Sequence, residues 1–172
     1  MRRLADATLR LGIIAVFAVL LGCVSWQVVS RYALGTPSTL TDELARFLFM
    51  WLALVGGAYT YGQGRHLAID MLPTALSGRR RQLNEALITL LIAAFAGVVM
   101  IWGGFQLVQR TLSSGQISPS LQLPMGWVYA AVPLSGLIII AYAVANLIRI
   151  SQGGTTLNPP EDIPAPSTET TP

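Results

Sequence analysis

The chain contains no lysine, one cysteine and one histidine in 172 residues. Each scarcity excludes something. A single cysteine, Cys23, cannot close an intramolecular disulfide and rules out a multi-cysteine zinc or iron–sulfur site. A single histidine, His66, rules out a haem held by two histidines of this chain. Charge is scarce too. Only 11% of residues are charged, 53% are hydrophobic and the mean hydropathy is +0.58; a soluble domain carries about 25% charged residues. The net charge of +3 does not point to nucleic acid. No basic stripe interleaves with aromatics, and the arginines stand at the edges of apolar runs, as at a lipid bilayer surface.

What is abundant is uninterrupted apolar sequence. Four intervals carry no charge: 11–30, 47–64, 86–109 and 111–148. A membrane-crossing helix needs about 20 apolar residues. The fourth interval opens with polar, proline-bearing sequence, so its span is placed at 125–148. The runs are apolar on every face, whereas a helix on a soluble protein shows a stripe. The expected fold is therefore an all-α integral membrane protein with four transmembrane helices. Residues 1–150 form the membrane domain, with spans near 11–30, 47–64, 86–109 and 125–148. Residues 151–172 hold five of the ten prolines and three acids and should form a disordered cytoplasmic tail.

Arginine counts set the orientation: eight flank one side of the bilayer and three the other. Both termini are therefore expected in the cytoplasm. Trp26, Trp102 and Trp127 then fall at outer span ends, as an aromatic belt requires. "LLGC" at 20–23 offers a competing reading, a lipoprotein signal acylated at Cys23. Against it, the apolar run continues through Val29 and completes a crossing. Residues 65–78 allow a short interfacial helix ended by Pro73, or a plain loop. Arg79, Arg80 and Arg81 then open the third helix, placed to meet anionic headgroups. Pro133 is expected to kink the fourth span.

None of the four charge-free spans contains Asp, Glu, Arg, Lys or His, although carriers of charged solutes keep such groups at membrane depth. Gly56–Gly57 and Gly103–Gly104 could open broken helices around a transport site, but close helix packing explains them more simply. Ala53/Gly57, Ala93/Gly97 and Ala131/Ser135 have the same small-residue spacing. Gln27, Ser30, Gln106, Gln109 and Asn146 read as interfacial, with interhelical hydrogen bonds as the alternative. His66 and Asp70 are four apart and can hydrogen-bond locally, and with Arg65 they read as structural parts of a cytoplasmic loop.

Charge collects before the second span, in "TDELAR" at 41–46. Thr39 and Asp42 fit a capping box, with Thr41 as an alternative cap. Asp42 and Glu43 suit the exposed amides of a first helical turn. Glu43 and Arg46, three apart, can pair, and Arg31 is a second candidate partner for the acids. A helix start accounts for the acids better than for Arg46, whose extra charge suggests a protein interface.

The stretch "TDELARFLFMWLALVGGAYTYGQGRHLAIDML" resembles the small permease subunit of tripartite ATP-independent periplasmic (TRAP) transporters. The matching features are the acidic pair before "AR", Trp51, Gly56–Gly57, Arg65–His66 and Asp70. "GQISPSLQLPMGWVYAAVPLSGLIIIAYAV" is similar to that family's loop and last span, notably at Ser118, Leu123, Pro124, Trp127 and Pro133. The resemblance covers nearly all of residues 5–150. It implies a bacterial inner-membrane subunit, not an enzyme and without cofactor, metal or substrate site. The implied partners are a large permease subunit and a periplasmic solute-binding protein, together importing carboxylate solutes on a sodium gradient. The small subunit would be stationary scaffold, with Arg31, Asp42, Glu43, Arg46, Trp51, Gly56 and Gly57 registering helices or meeting the partner. A self-sufficient homo-oligomeric carrier or channel is the alternative. Its polar lining would have to come from Ser25, Gln27, Thr60, Gln63, Thr89, Gln106 and Ser135.

Overall fold

The structure, a computed structural model, describes residues 2–63 and 79–151, with side chains over 6–63 and 83–151. Helix α1 runs Arg2–Tyr32 and α2 Thr39–Gly62. The third crossing is built from α3 (Arg79–Phe95), a π-helical stretch (Ala96–Gly103) and α4 (Gly104–Ser113). A short α5 (Met125–Tyr129) leads into α6 (Ala131–Ser151). Four helical stretches are long and apolar enough to cross a membrane: Asp6–Tyr32, Thr39–Gly62, Leu83–Ser113 and Met125–Ser151. Helix follows from the solvent. Hydrocarbon offers no hydrogen bonds, so a crossing segment must satisfy its amides internally. The 31 residues of α1 extend about 46 Å, against a hydrocarbon core of about 30 Å.

The helices pack as a chain of neighbours: α1 on α2, α2 on α6, and α6 on both α3 and the π stretch. Tight contacts depend on small residues. A Cβ on Gly136 would stand 2.8 Å from the Met100 Cβ, and one on Gly104 would stand 3.0 Å from the Pro133 Cδ. The backbones of the third and fourth crossings therefore meet closely along the π stretch. Ala96, Ala131 and Ser135 are fully buried there. Within α2 the outcome is different. A Cβ on Gly56 or Gly57 would meet nothing within 4 Å, so among the described residues no other helix packs on the pair.

The fourth crossing is interrupted just before Pro133, on the side where a proline disturbs a helix. The fourth crossing breaks at Ala130, between α5 and α6, and Pro133 lies in the first turn of α6. Its missing N–H costs no helical bond there, because first-turn amides have no intrahelical acceptor.

Gly136→Ala should lower the thermal unfolding midpoint of the purified chain in detergent, reflecting about 1–3 kcal/mol of overpacking. Gly57→Ala, made into open space, should leave it unchanged.

Candidate functional site

The end of the bundle opposite the start of α1 and the end of α6 carries the 33–38 and 114–124 connections. Helix α4 stops in a Schellman arrangement. The Gly115 N–H donates to the Leu112 carbonyl (3.2 Å) and the Gln116 N–H to that of Thr111 (3.4 Å), with Gly115 at φ +67°. The chain then doubles back through an antiparallel bridge between Ile117 and Pro124. The Ser118 N–H donates to the Leu123 carbonyl and the Met125 N–H to that of Gln116, both at 2.9 Å. Gln122, at φ +53°, helps turn the corner. Gly126 rests on Leu112, and a Cβ there would come within 2.4 Å of its side chain.

Helix α2 holds this loop in place. Glu43 accepts hydrogen bonds from the Ser120 N–H (2.8 Å) and the Leu121 N–H (3.0 Å), residues far away in sequence. The carboxylate thus satisfies two amides at the tip of the turn, while Ser118 beneath them is fully buried. Glu43 precedes the charge-free stretch that starts at Phe47. Partial burial pushes its carboxyl up. The hydrogen bonds it accepts, those of the Leu121 and Ser120 amides foremost, outweigh that effect and hold it below its ordinary 4.5.

The expected local pairings are therefore revised. Arg46 pairs with Asp42 at 2.7 Å, four residues back, rather than with Glu43. Both partners are at least half exposed, so the pair is worth only a few tenths of a kcal/mol. Arg31 pairs with neither acid among the described residues. The capping box is absent too. The residue before the helix is Ser38, whose side chain makes no capping bond, and the Thr41 hydroxyl donates to the Ser38 carbonyl (3.2 Å). Asp42, Glu43, Arg46, Phe47, Gln116 and Ser120 line much of an open cleft of about 470 Å³ between α2 and the loop.

Polar side chains expected at the interface join the helices instead. Gln27 donates from Nε2 to the Thr41 carbonyl (2.9 Å), joining α1 to α2, and Ser30 donates to the Thr36 carbonyl. Asn146 is buried rather than interfacial. It lies in a polar cluster at the end bearing both termini, with Tyr61 of α2 and Thr89 of α3. Glu85, which the charge-free interval 86–109 leaves outside the span, is only 3% exposed and one turn from Thr89. The Tyr142 hydroxyl donates to Asp6, tying α6 to α1.

Of the remaining sequence-derived residues, Trp51 is half-buried between helices, and Gly56 and Gly57 are open. Arg65, His66 and Asp70, and with them the short interfacial helix, lie outside the described residues, as does the tail from 152. Arg79, Arg80 and Arg81 are in α3, but their side chains lie outside the description. Among the described residues, no three His, Cys, Asp or Glu side chains come together as a metal site.

Such an arrangement, with polar groups joining the ends of apolar crossings, is that of a multi-span membrane protein. The chain belongs to the family described as tripartite ATP-independent periplasmic transporters, DctQ component, whose pattern it matches over residues 20–153. It is 26% identical over 143 residues to the sialic acid TRAP transporter small permease protein SiaQ of Vibrio cholerae, covering 81% of each chain. It is 32% identical over 116 residues to the ectoine TRAP transporter small permease protein TeaB of Halomonas elongata, covering 65% of this chain and 58% of that one. It is also 22% identical over 145 residues to the sialic acid TRAP transporter permease protein SiaT of Haemophilus influenzae, covering 84% of this chain but 22% of that protein.

The Glu43 contact yields a pH-dependent prediction. A carboxyl held below its ordinary value stabilises the fold above that value, and the contribution is lost as the pH falls through the folded value. Hydrogen exchange at Ser120 and Leu121 should be faster in Glu43→Gln than in the wild type at neutral pH. The difference should close on acidification below 4.5.

Proposed function

We propose that this chain is the small, non-substrate-binding scaffold of a sodium-driven importer of carboxylate solutes. It stands in the bacterial inner membrane with both termini in the cytoplasm and braces a large permease subunit. The observation that carries this reading is the uncovered face of α2. Arg46, Phe49, Ala53, Gly57 and Thr60 recur at helical spacing and are exposed, and among the described residues nothing outside their own helical turn lies within 4 Å of a Cβ placed on Gly56 or Gly57. A run of small residues at membrane depth lets another backbone approach closely, the arrangement on which helix association in lipid depends. The large permease is the fitting occupant, because a relative such as SiaT contains a segment like this chain as about a fifth of its length. The Glu43-anchored loop would then present a fixed outer surface on which a solute-binding protein can dock.

One observation favours the alternative, a self-sufficient carrier. Glu85 is buried beside Thr89, with Asn146 and Tyr61 in the same polar cluster. The other polar candidates are less suited to lining a path. Thr60, Thr89 and Ser135 donate to carbonyls of their own helices, and Gln27 donates to Thr41. Reconstituting the purified chain in liposomes separates the two readings: the scaffold moves no solute alone, and the carrier does.

Gly57→Leu and Ala53→Leu should insert normally yet reduce co-purification of the large permease at least tenfold. Arg46→Ala and Glu43→Ala should lower uptake without preventing insertion. Wild-type co-purification and uptake in all four variants would remove the α2 interface.

A further inference from the structure

The polar contacts that tie the helices fall in two layers. One holds Asp6 of α1, Tyr61 of α2, Thr89 of α3 and Asn146 of α6. The other holds Gln27 of α1 and Thr41 of α2, with Thr111 and Met125, whose backbone groups close the doubled-back 114–124 connection. On every crossing the two layers stand 20 to 22 residues apart, about 30–33 Å at the helical rise. The hydrocarbon core of a bilayer is about 30 Å thick.

Packing between the third and fourth crossings excludes a shallower boundary. Trp102 is exposed, and its place in the sequence suits an aromatic belt. Gly136, however, lies against Met100 and Ile101 at that level. Arg149 follows Gly136 by only 13 residues, about 20 Å of helix against a core of about 30 Å. A boundary at Trp102 would also stand the exposed Phe105, Leu112, Ile117 and Trp127 in water. Ten residues further on, where Gly126 rests on Leu112, both crossings reach full length.

Two separate edges of the bundle carry the same pair of side chains at this level. Helix α1 packs on α2, whereas α4 packs on the π stretch and α5. Arg31 and Tyr32 are exposed at the end of α1, and Arg110 and Trp127 at the end of α4 and start of α5. Arginine suits a lipid phosphate, and an aromatic ring suits the headgroup level. No charged residue occurs from 111 to 148. A single partner helix would reach one edge; lipid reaches both.

We propose that the phospholipid headgroups of one leaflet lie at Tyr32, Trp127 and the 114–124 connection, with Trp102 about 15 Å deeper among the acyl chains. The connection is then a collar within the headgroup layer and not a stalk standing in water. The inference requires only that the chain crosses a bilayer, and it stands apart from the scaffold reading.

The test uses full chains that each retain one tryptophan, Trp26, Trp102 or Trp127, with the other three replaced by phenylalanine. They are reconstituted in vesicles of phosphatidylethanolamine and phosphatidylglycerol. Acyl chains brominated near the carbonyl or near the methyl end quench indole at their own depth. Trp26 and Trp127 should be quenched at least twofold more by the shallow bromine, and Trp102 at least twofold more by the deep one. If a triple replacement fails to insert, single Trp→Phe changes in the native chain give each value by difference. Trp102 quenched most by shallow bromine restores it to the belt and overturns the proposal. Trp127 open to aqueous iodide and untouched by bromine puts the connection in water, which also overturns it. The same difference, measured on the chain co-purified with the large permease, should leave lipid quenching of Trp127 intact. Its loss there would give that edge to the permease and overturn the proposal.

Discussion

An amide that leaves a helix at the edge of hydrocarbon must find a new acceptor, and most of this structure's specific features answer that demand. Within the crossings the helices satisfy themselves. Between α4 and α5 the chain must turn, and the turn's own bonds leave Ser120 and Leu121 to be satisfied by a carboxylate from another helix. Glu43 supplies it, and a backbone loop becomes fixed to the start of α2. The buried Ser118, the Schellman close at Gly115 and the Gln27–Thr41 bond belong to the same end. Together they make the loop-bearing end a set of mutually satisfied ends rather than free connections.

The opposite end follows a different rule. Tyr61, Tyr142, Thr89, Asn146 and Glu85 are buried there, and polar contacts join α1, α2, α3 and α6. Polar groups hold the helices at both ends, while small residues and apolar side chains fill the middle. That division suits a rigid element: helices fixed at both ends resist sliding, the property that the proposed scaffold role requires.

The fold was legible because the bilayer imposes a strong pattern. Charge-free runs of sufficient length permit one backbone solution, and the four crossings follow. Partners within the site were far less legible. The sequence reading paired Arg46 with Glu43, three residues back, whereas the structure pairs it with Asp42, four back. Glu43's true partners are backbone amides far along the chain, and amides leave no mark in a sequence. The π stretch at Ala96–Gly103 was hidden for a related reason, since its composition is that of any apolar helix. Glu85 was missed because a charge that bounds an apolar run looks the same whether it faces water or the protein interior.

The bare face of α2 bears on how the cell supplies this subunit. On the proposed reading of α2 as an interface, its seam of small residues would not discriminate strongly between helices, and a second copy of the same chain would offer an equally small surface. Synthesised in excess, the subunit would close that seam on itself or on a stray membrane helix. On that reading, balanced production with a large permease, or fusion to it in one polypeptide, would remove the competition by keeping the proposed neighbour close from the moment of insertion.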